Sequence, residues 1–186
     1  MRQLKDKKSI ADSTFSIWNK IYRVCWSIIY LLFFRFTFIP FFSMRVAVLR
    51  LLGARIDKSS RVYPSSSIWS PANLEIGEDS TIGPRVKVYN QGRVYIGSRC
   101  VISQDASLCA SSHDYEQPLH PLFLSPINIE NDAWICAEAF VGPGVTVGEG
   151  AVIGARAVLM KDADPWSVYA GNPAIKIKTR KRFDES

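Results

Sequence analysis

The sequence predicts a mainly β protein: a parallel β-helix of about five coils, with an N-terminal helical segment before it and a C-terminal tail after it. Three observations carry that reading. Ile129, Ile135, Val141, Val147, Ile153 and Leu159 are aliphatic and fall six apart. Four residues after each of the first five stands Ala133, Ala139, Val145, Ala151 or Ala157, each small or β-branched. A period of six fits neither the 3.6 of a helix nor the 2 of a plain strand, and hexapeptide repeats are a signature of the β-helix.

The same beat occupies Ile56, Val62 and Ile68, then Ile76, Ile82 and Val88, then Ile96, Ile102 and Leu108. Each group of three reads as one coil of three short strands. The predicted coils are 56–75, 76–95, 96–128, 129–146 and 147–164. The third is too long for one coil, so it carries an insertion over residues 109–126. Gly142, Gly148 and Gly154 follow three of the aliphatic residues. They are expected to take positive φ at corners, where glycine has no steric cost. No coil completes a core by itself, so neighbours must stack.

Residues 1–55 are different in kind. The run Val24–Phe34 is apolar but for Ser27, shorter than the roughly 20 residues that span a bilayer. Arg35 and Pro40 interrupt its continuation. One or two helices are expected, with Pro40 as the break. Two readings fit them. They pack on the β-helix or a neighbouring subunit, or they lie in a membrane interface with Lys5, Lys7, Lys8, Lys20 and Arg23 near anionic headgroups.

Charge is divided along the 186 residues. Residues 1–60 hold eleven Lys and Arg against three Asp and Glu, residues 61–175 seven against twelve, and residues 176–186 five against two. A mildly acidic body between basic ends speaks against a nucleic-acid face and for anionic partners at the ends. Four cysteines form no CxxC pair and there are two histidines, which argues against a structural zinc site and for a reducing cytoplasm. Cys100 falls at a small inward position and reads as a core residue.

The insertion is the long excursion from the repeat, and loops held on a rigid scaffold often carry function. It holds His113, Asp114, Glu116 and His120. Histidine suits base chemistry because the residue type titrates near pH 6.5. Asp114, Glu116 or a backbone carbonyl is the candidate to orient His113, and Asp114 otherwise simply forms a turn. Tyr89 and Asn90, one coil earlier, either line an acceptor pocket or form a corner. Trp134 precedes an inward Ile135 and so faces outward.

Several words in the chain carry a resemblance: Ile102-Ser-Gln104, Ser112-His-Asp-Tyr115, Ala133-Trp-Ile135, Pro143-Gly-Val-Thr-Val-Gly148, Val152-Ile-Gly-Ala155 and Ala170-Gly-Asn-Pro-Ala174, with Ile68-Trp69 and Asn73-Leu-Glu-Ile-Gly77 upstream. Over about residues 15–180 the chain resembles the left-handed β-helix (hexapeptide-repeat) acyltransferases. The likeness is nearest to the colanic acid biosynthesis acetyltransferases, kin of the galactoside, maltose and nodulation enzymes. It implies O-acetyl transfer from acetyl-CoA to a sugar hydroxyl, in a homotrimer whose sites lie between neighbouring subunits. His113 would be the general base, with direct attack on the thioester and a backbone N–H for the oxyanion. The cofactor positions carried over are Ala137, the Gly154–Ala155 corner and Lys161. The basic tail at residues 165–186, with Lys178 and Arg180, suits the CoA phosphates. Tyr89, Asn90 and Trp134 are the candidate acceptor contacts. The chain departs from some relatives in having His120-Pro121 where they place a glutamate.

Other functions on this scaffold make different demands. A zinc hydratase would need about three converging histidines, and this chain has two. A binding scaffold would have no CoA affinity. An N-acetyltransferase would share fold and donor. The expected setting is the cytoplasm, peripheral at the inner face of the membrane, with a lipid-linked polysaccharide precursor as acceptor.

Overall fold

The computed structural model describes residues 2–3 and 15–183. Lys5, Lys7 and Lys8 lie outside the described residues. The repeat forms a three-faced parallel prism. The first face stacks strands 55–56, 74–76, 94–96, 127–129 and 146–147. The second stacks 61–62, 81–82, 101–102, 134–135, 152–153 and 167–170, and the third 67–68, 87–89, 107–109, 140–141 and 158–159.

The beat becomes three vertical ladders. Ile56, Ile76, Ile96, Ile129 and Val147 pair in register up the first face. Val62, Ile82, Ile102, Ile135 and Ile153 do so up the second. Ile68, Val88, Leu108, Val141 and Leu159 complete the third. All fifteen are buried, and each contributes about 1.5–3 kcal/mol of gross apolar transfer. Cys100 sits inside, and burial pushes its thiol up from the ordinary range.

The expectation for the corner glycines needs correction. Gly142, Gly148 and Gly154 are not among the positive-φ residues. The left-handed position falls three after the aliphatic residue, at Asp79, Arg85, Arg99, Asp105, Asp132, Glu138, Gly144, Gly150 and Arg156. The glycines are needed for close approach instead. A Cβ on Gly148 would lie 2.5 Å from the backbone nitrogen of Pro165, and one on Gly142 would lie 2.6 Å from Met160 Sδ. Charged left-handed residues stack along the corners as ion pairs, Arg85–Asp105, Arg99–Asp132 and Arg156–Glu138.

Two helices close the N-terminal end, α1 (Ile17–Tyr30) and α2 (Phe42–Leu51). Ser16 caps α1 by accepting from Asn19 N–H, one of the orphan amides of a first turn. The break comes earlier than Pro40: α1 widens into a π-turn over Leu31–Arg35 and ends at Phe36. Pro40 lies in the connection, where its missing N–H costs no helical bond. Tyr22, Trp26 and Tyr30 point at the prism. Their polar tips donate to the carbonyls of Leu52, Ile68 and Ser66 at 2.8, 2.8 and 3.0 Å. Trp26 and Phe34, with Val46 and Leu49 from α2, join the core cluster. Arg45, fully buried, donates to Val62 O, Thr37 Oγ1, Phe38 O and Ile39 O. One guanidinium thereby satisfies the carbonyls of a turn that has no helix of its own.

The tail begins as structure. Ala163 bridges Val147, and Ser167–Ala170 adds to the second face as a sixth, incomplete coil. Ile175–Thr179 then folds back antiparallel on it.

Candidate active site

The insertion expected over residues 109–126 forms a β-hairpin. Ser111–His113 pairs antiparallel with Leu122–Leu124, and Arg2–Gln3 adds a third strand at its edge. The turn closes through Leu119 and His120, both in the left-handed region at φ 70° and 44°. That unusual backbone swings the His120 carbonyl to within 2.7 Å of His113 Nδ1. A carbonyl can only accept, so Nδ1 carries the proton and Nε2 keeps its lone pair. His113 is solvent-exposed. A base with its tautomer set from behind and its free nitrogen open to solvent is suited to take a proton from an incoming hydroxyl.

Asp114 is occupied elsewhere. Its carboxylate accepts from Glu116 N–H at 3.1 Å and Gln117 Nε2 at 2.8 Å. The turn-forming reading describes it, and the orienting contact expected of it is made by the main chain at position 120.

The chain leads from the third face into this hairpin through Cys109. A groove of about 350 Å³ runs along that face between Trp69, Lys87, Tyr89, Ser107, Cys109 and Phe140. Tyr89 is 44% exposed there. A largely apolar, aromatic-lined groove with Lys87 and Ser107 among its polar groups suits a sugar, whose apolar ring face stacks while its hydroxyls hydrogen-bond. Asn90 faces away from solvent. Fully buried, it accepts from Trp69 N–H and Ser70 N–H and donates to Ser70 O. It holds the corner that the longer coils require.

The donor-side candidates divide. Ala137, Gly154 and Ala155 lie on the corner that enters the third face, stacked one coil apart by Arg156 N–H donating to Ala137 O. Lys161, exposed, lies on the corner that leaves it, two residues past Leu159. The third face is therefore bounded by the donor-side positions on one edge and by Lys161 and the hairpin root on the other. Trp134 stands on the second face, 45% exposed, its Nε1 donating to Ser103 Oγ. Lys178 is exposed on the fold-back strand that pairs with the second face. Arg180 is engaged structurally: Nη1 donates to Gly150 O at 2.9 Å, and the guanidinium packs 4.6 Å from the Phe183 ring centroid. Those contacts belong to the corner between the first and second faces, which takes Arg180 away from Lys161.

A backbone carbonyl was among the groups expected to orient His113, but sequence reasoning did not place it at His120, because a backbone atom leaves no residue-type signal. It also missed Lys87 and Cys109 in the groove. Their outward positions beside Val88 and Leu108 follow from strand alternation and could have been found that way. Burial pushes the Cys136 thiol up, which keeps it protonated and disfavours a cysteine acyl carrier beside Ala137. Among the described residues no group of three or more His, Cys, Asp or Glu is placed to hold a metal.

This prism with a histidine-bearing hairpin defines a class of transferase, and comparison with known proteins gives the family. Residues 126–161 match the bacterial transferase hexapeptide (six repeats) family. WcaF of Escherichia coli (strain K12), named as a colanic acid biosynthesis acetyltransferase, is 38% identical over 139 residues, 75% of this chain and 76% of its own length. Among solved structures, the hexapeptide-repeat acetyltransferase VCA0836 of Vibrio cholerae superposes with a TM-score of 0.79 at 25% identity, covering 90% of this chain and 95% of that one. The galactoside acetyltransferase in complex with coenzyme A superposes at 0.83 with 21% identity, covering 93% and 88%, and shares the fold. The chain belongs to the hexapeptide-repeat acetyltransferases.

Proposed function

We propose that this acetyltransferase moves an acetyl group from acetyl-CoA to a hydroxyl of a sugar or polysaccharide precursor, with His113 as general base. The observation that carries the reading is the 2.7 Å contact of His113 Nδ1 with the His120 carbonyl, which leaves Nε2 free. The acceptor oxygen attacks the thioester carbonyl carbon as Nε2 takes the hydroxyl proton. A backbone N–H stabilises the oxyanion. The tetrahedral intermediate collapses, the C–S bond breaks, and the CoA sulfur leaves with the proton from the imidazolium. No covalent enzyme intermediate is required.

The donor runs along the third face. The thioester end lies by Ala137, the pantetheine arm passes the Gly154–Ala155 corner, and Lys161 meets the phosphates. The acceptor stacks on Tyr89 in the groove that leads to the hairpin. The working unit is a homotrimer, in which a neighbouring subunit brings Trp134 and Lys178 to the same site from their separate face. Support comes from WcaF, at 38% identity, and from a VCA0836 structure complexed with acetyl coenzyme A that shares the fold at a TM-score of 0.80. The reaction belongs in the cytoplasm, at the inner face of the membrane where a lipid-linked acceptor is held.

The test is calorimetry with acetyl-CoA on the native protein and on His113→Ala, followed by assay against neutral and amino sugars. Both proteins should bind at roughly micromolar Kd, and His113→Ala should lose about 10²–10⁴ in turnover. A native protein that binds no acetyl-CoA overturns the reading. Acetylation of amino sugars alone would reassign the enzyme to N-acetyl transfer.

A further inference from the structure

The helical cap is built inside out. Along α1 the residues that face the prism are Tyr22, Trp26 and Tyr30, aromatic rings with polar tips. The solvent side carries aliphatic or aromatic residues at helical spacing, Ile17, Trp18, Ile21, Val24, Ile28 and Leu31, between 47% and 76% exposed, beside the exposed Lys20, Cys25 and Ser27. The patch continues past the helix through Leu32, Phe33, Phe36, Phe38, Ile39 and Phe41, each more than half exposed. A soluble surface does not leave so many large apolar side chains contiguous without a partner.

Charge selects the partner. Residues 13–56 hold Lys20, Arg23, Arg35, Arg45, Arg50 and Arg55 and not one Asp or Glu. Arg45 is spent on carbonyls and Arg23 lies 4.2 Å from the Trp69 ring centroid, whereas Lys20 and Arg35 are exposed at the margin of the apolar stripe. Apolar residues on one flank with cations at the edge describe a helix that lies in the plane of an anionic bilayer. No helix among the described residues is long and apolar enough to cross one.

We infer that the exposed face of α1 and the Leu31–Phe41 segment dock the protein on an anionic lipid surface, burying Trp18, Ile21, Ile28 and Phe33 below the headgroups with Lys20 and Arg35 among the phosphates. The inference names the partner of the cap. It shares with the proposed reaction only the expectation of a membrane-held acceptor and needs nothing of His113.

The test is flotation of the full chain with vesicles of phosphatidylcholine alone and of phosphatidylcholine with phosphatidylglycerol. The native protein should float with the anionic vesicles, less at high salt and less on phosphatidylcholine. The double variant Ile21→Asp with Ile28→Asp should lose about tenfold or more of that partitioning. Both sites are exposed, so it should keep the native acetyl-CoA affinity and sedimentation mass. A native protein that floats with neither vesicle overturns the inference. So does a double variant that floats normally. A fall in sedimentation mass in the double variant would make this face a contact between copies of the chain, and would also overturn it. Acetyl-CoA binding reports on the catalytic reading separately, so the two can fail independently.

Discussion

At the hairpin, the proposed base depends on its neighbour's backbone and not on its neighbour's side chain. His120 lends His113 a carbonyl, so the His120 imidazole should be dispensable. Its φ of 44° is a conformation that asparagine adopts readily. His120→Asn should therefore keep turnover within about threefold, whereas His113→Asn, with an amide that takes no proton, should lose about 10²–10⁴. Initial-rate assays at saturating acetyl-CoA separate the two. If His120→Asn were as damaged as His113→Asn, the His120 side chain would have a role of its own. Asp114→Asn should act through the turn. Glu116 N–H still finds an acceptor, so a small effect on turnover is expected.

The glycines one step past the aliphatic residues make a graded demand on the coils. A Cβ at Gly148 meets the backbone of Pro165, and one at Gly142 meets the mobile end of Met160. Gly148→Ala should therefore cost about 2 kcal/mol and Gly142→Ala well under half of that, since a thioether yields and a main chain does not. The cap offers a larger effect. Trp26→Ala removes a buried ring and the partner of the Ile68 carbonyl, and should cost about 3–5 kcal/mol, read as a shift in the denaturation midpoint. Legibility in the sequence follows the same division. Inward positions obey a period and could be read: all fifteen beat residues and Cys100 are buried. The hairpin was legible as an insertion but not as paired strands, because Ser111–His113 has no apolar alternation to announce it. The left-handed corners escaped notice because Asp, Arg and Glu occupy them, and ion pairing between coils gives those residues a reason to be there that glycine would lack. The place of Arg180 was illegible because a basic tail looks the same whether it meets phosphate or carbonyl.

Across the whole molecule, no single face of the prism presents all that the proposed reaction uses. The third face gathers Tyr89, the Ala137 and Ala155 corner and Lys161, while Trp134 and Lys178 stand on the second face and its fold-back strand. Two faces of a convex prism cannot close on one substrate, but the second face of one copy can meet the third face of the next. A heterologous contact of that kind closes into a ring when its rotation closes, which is the physical content of the proposed homotrimer. It makes a prediction that a monomeric site does not share. His113→Ala and Trp134→Ala should each be impaired alone. Co-refolded in equal amounts, they form mixed rings in which some interfaces pair an intact His113 with an intact Trp134 from the neighbour. Random assembly puts that fraction at about one site in four, so about a quarter of native turnover should return. Were both residues drawn from one chain, no mixed ring would hold an intact site, and the mixture would show only the average of the two variants. Sedimentation of the mixture at three times the chain mass would have to accompany the recovery, since the same restored activity in a smaller species would place the shared site in a different assembly.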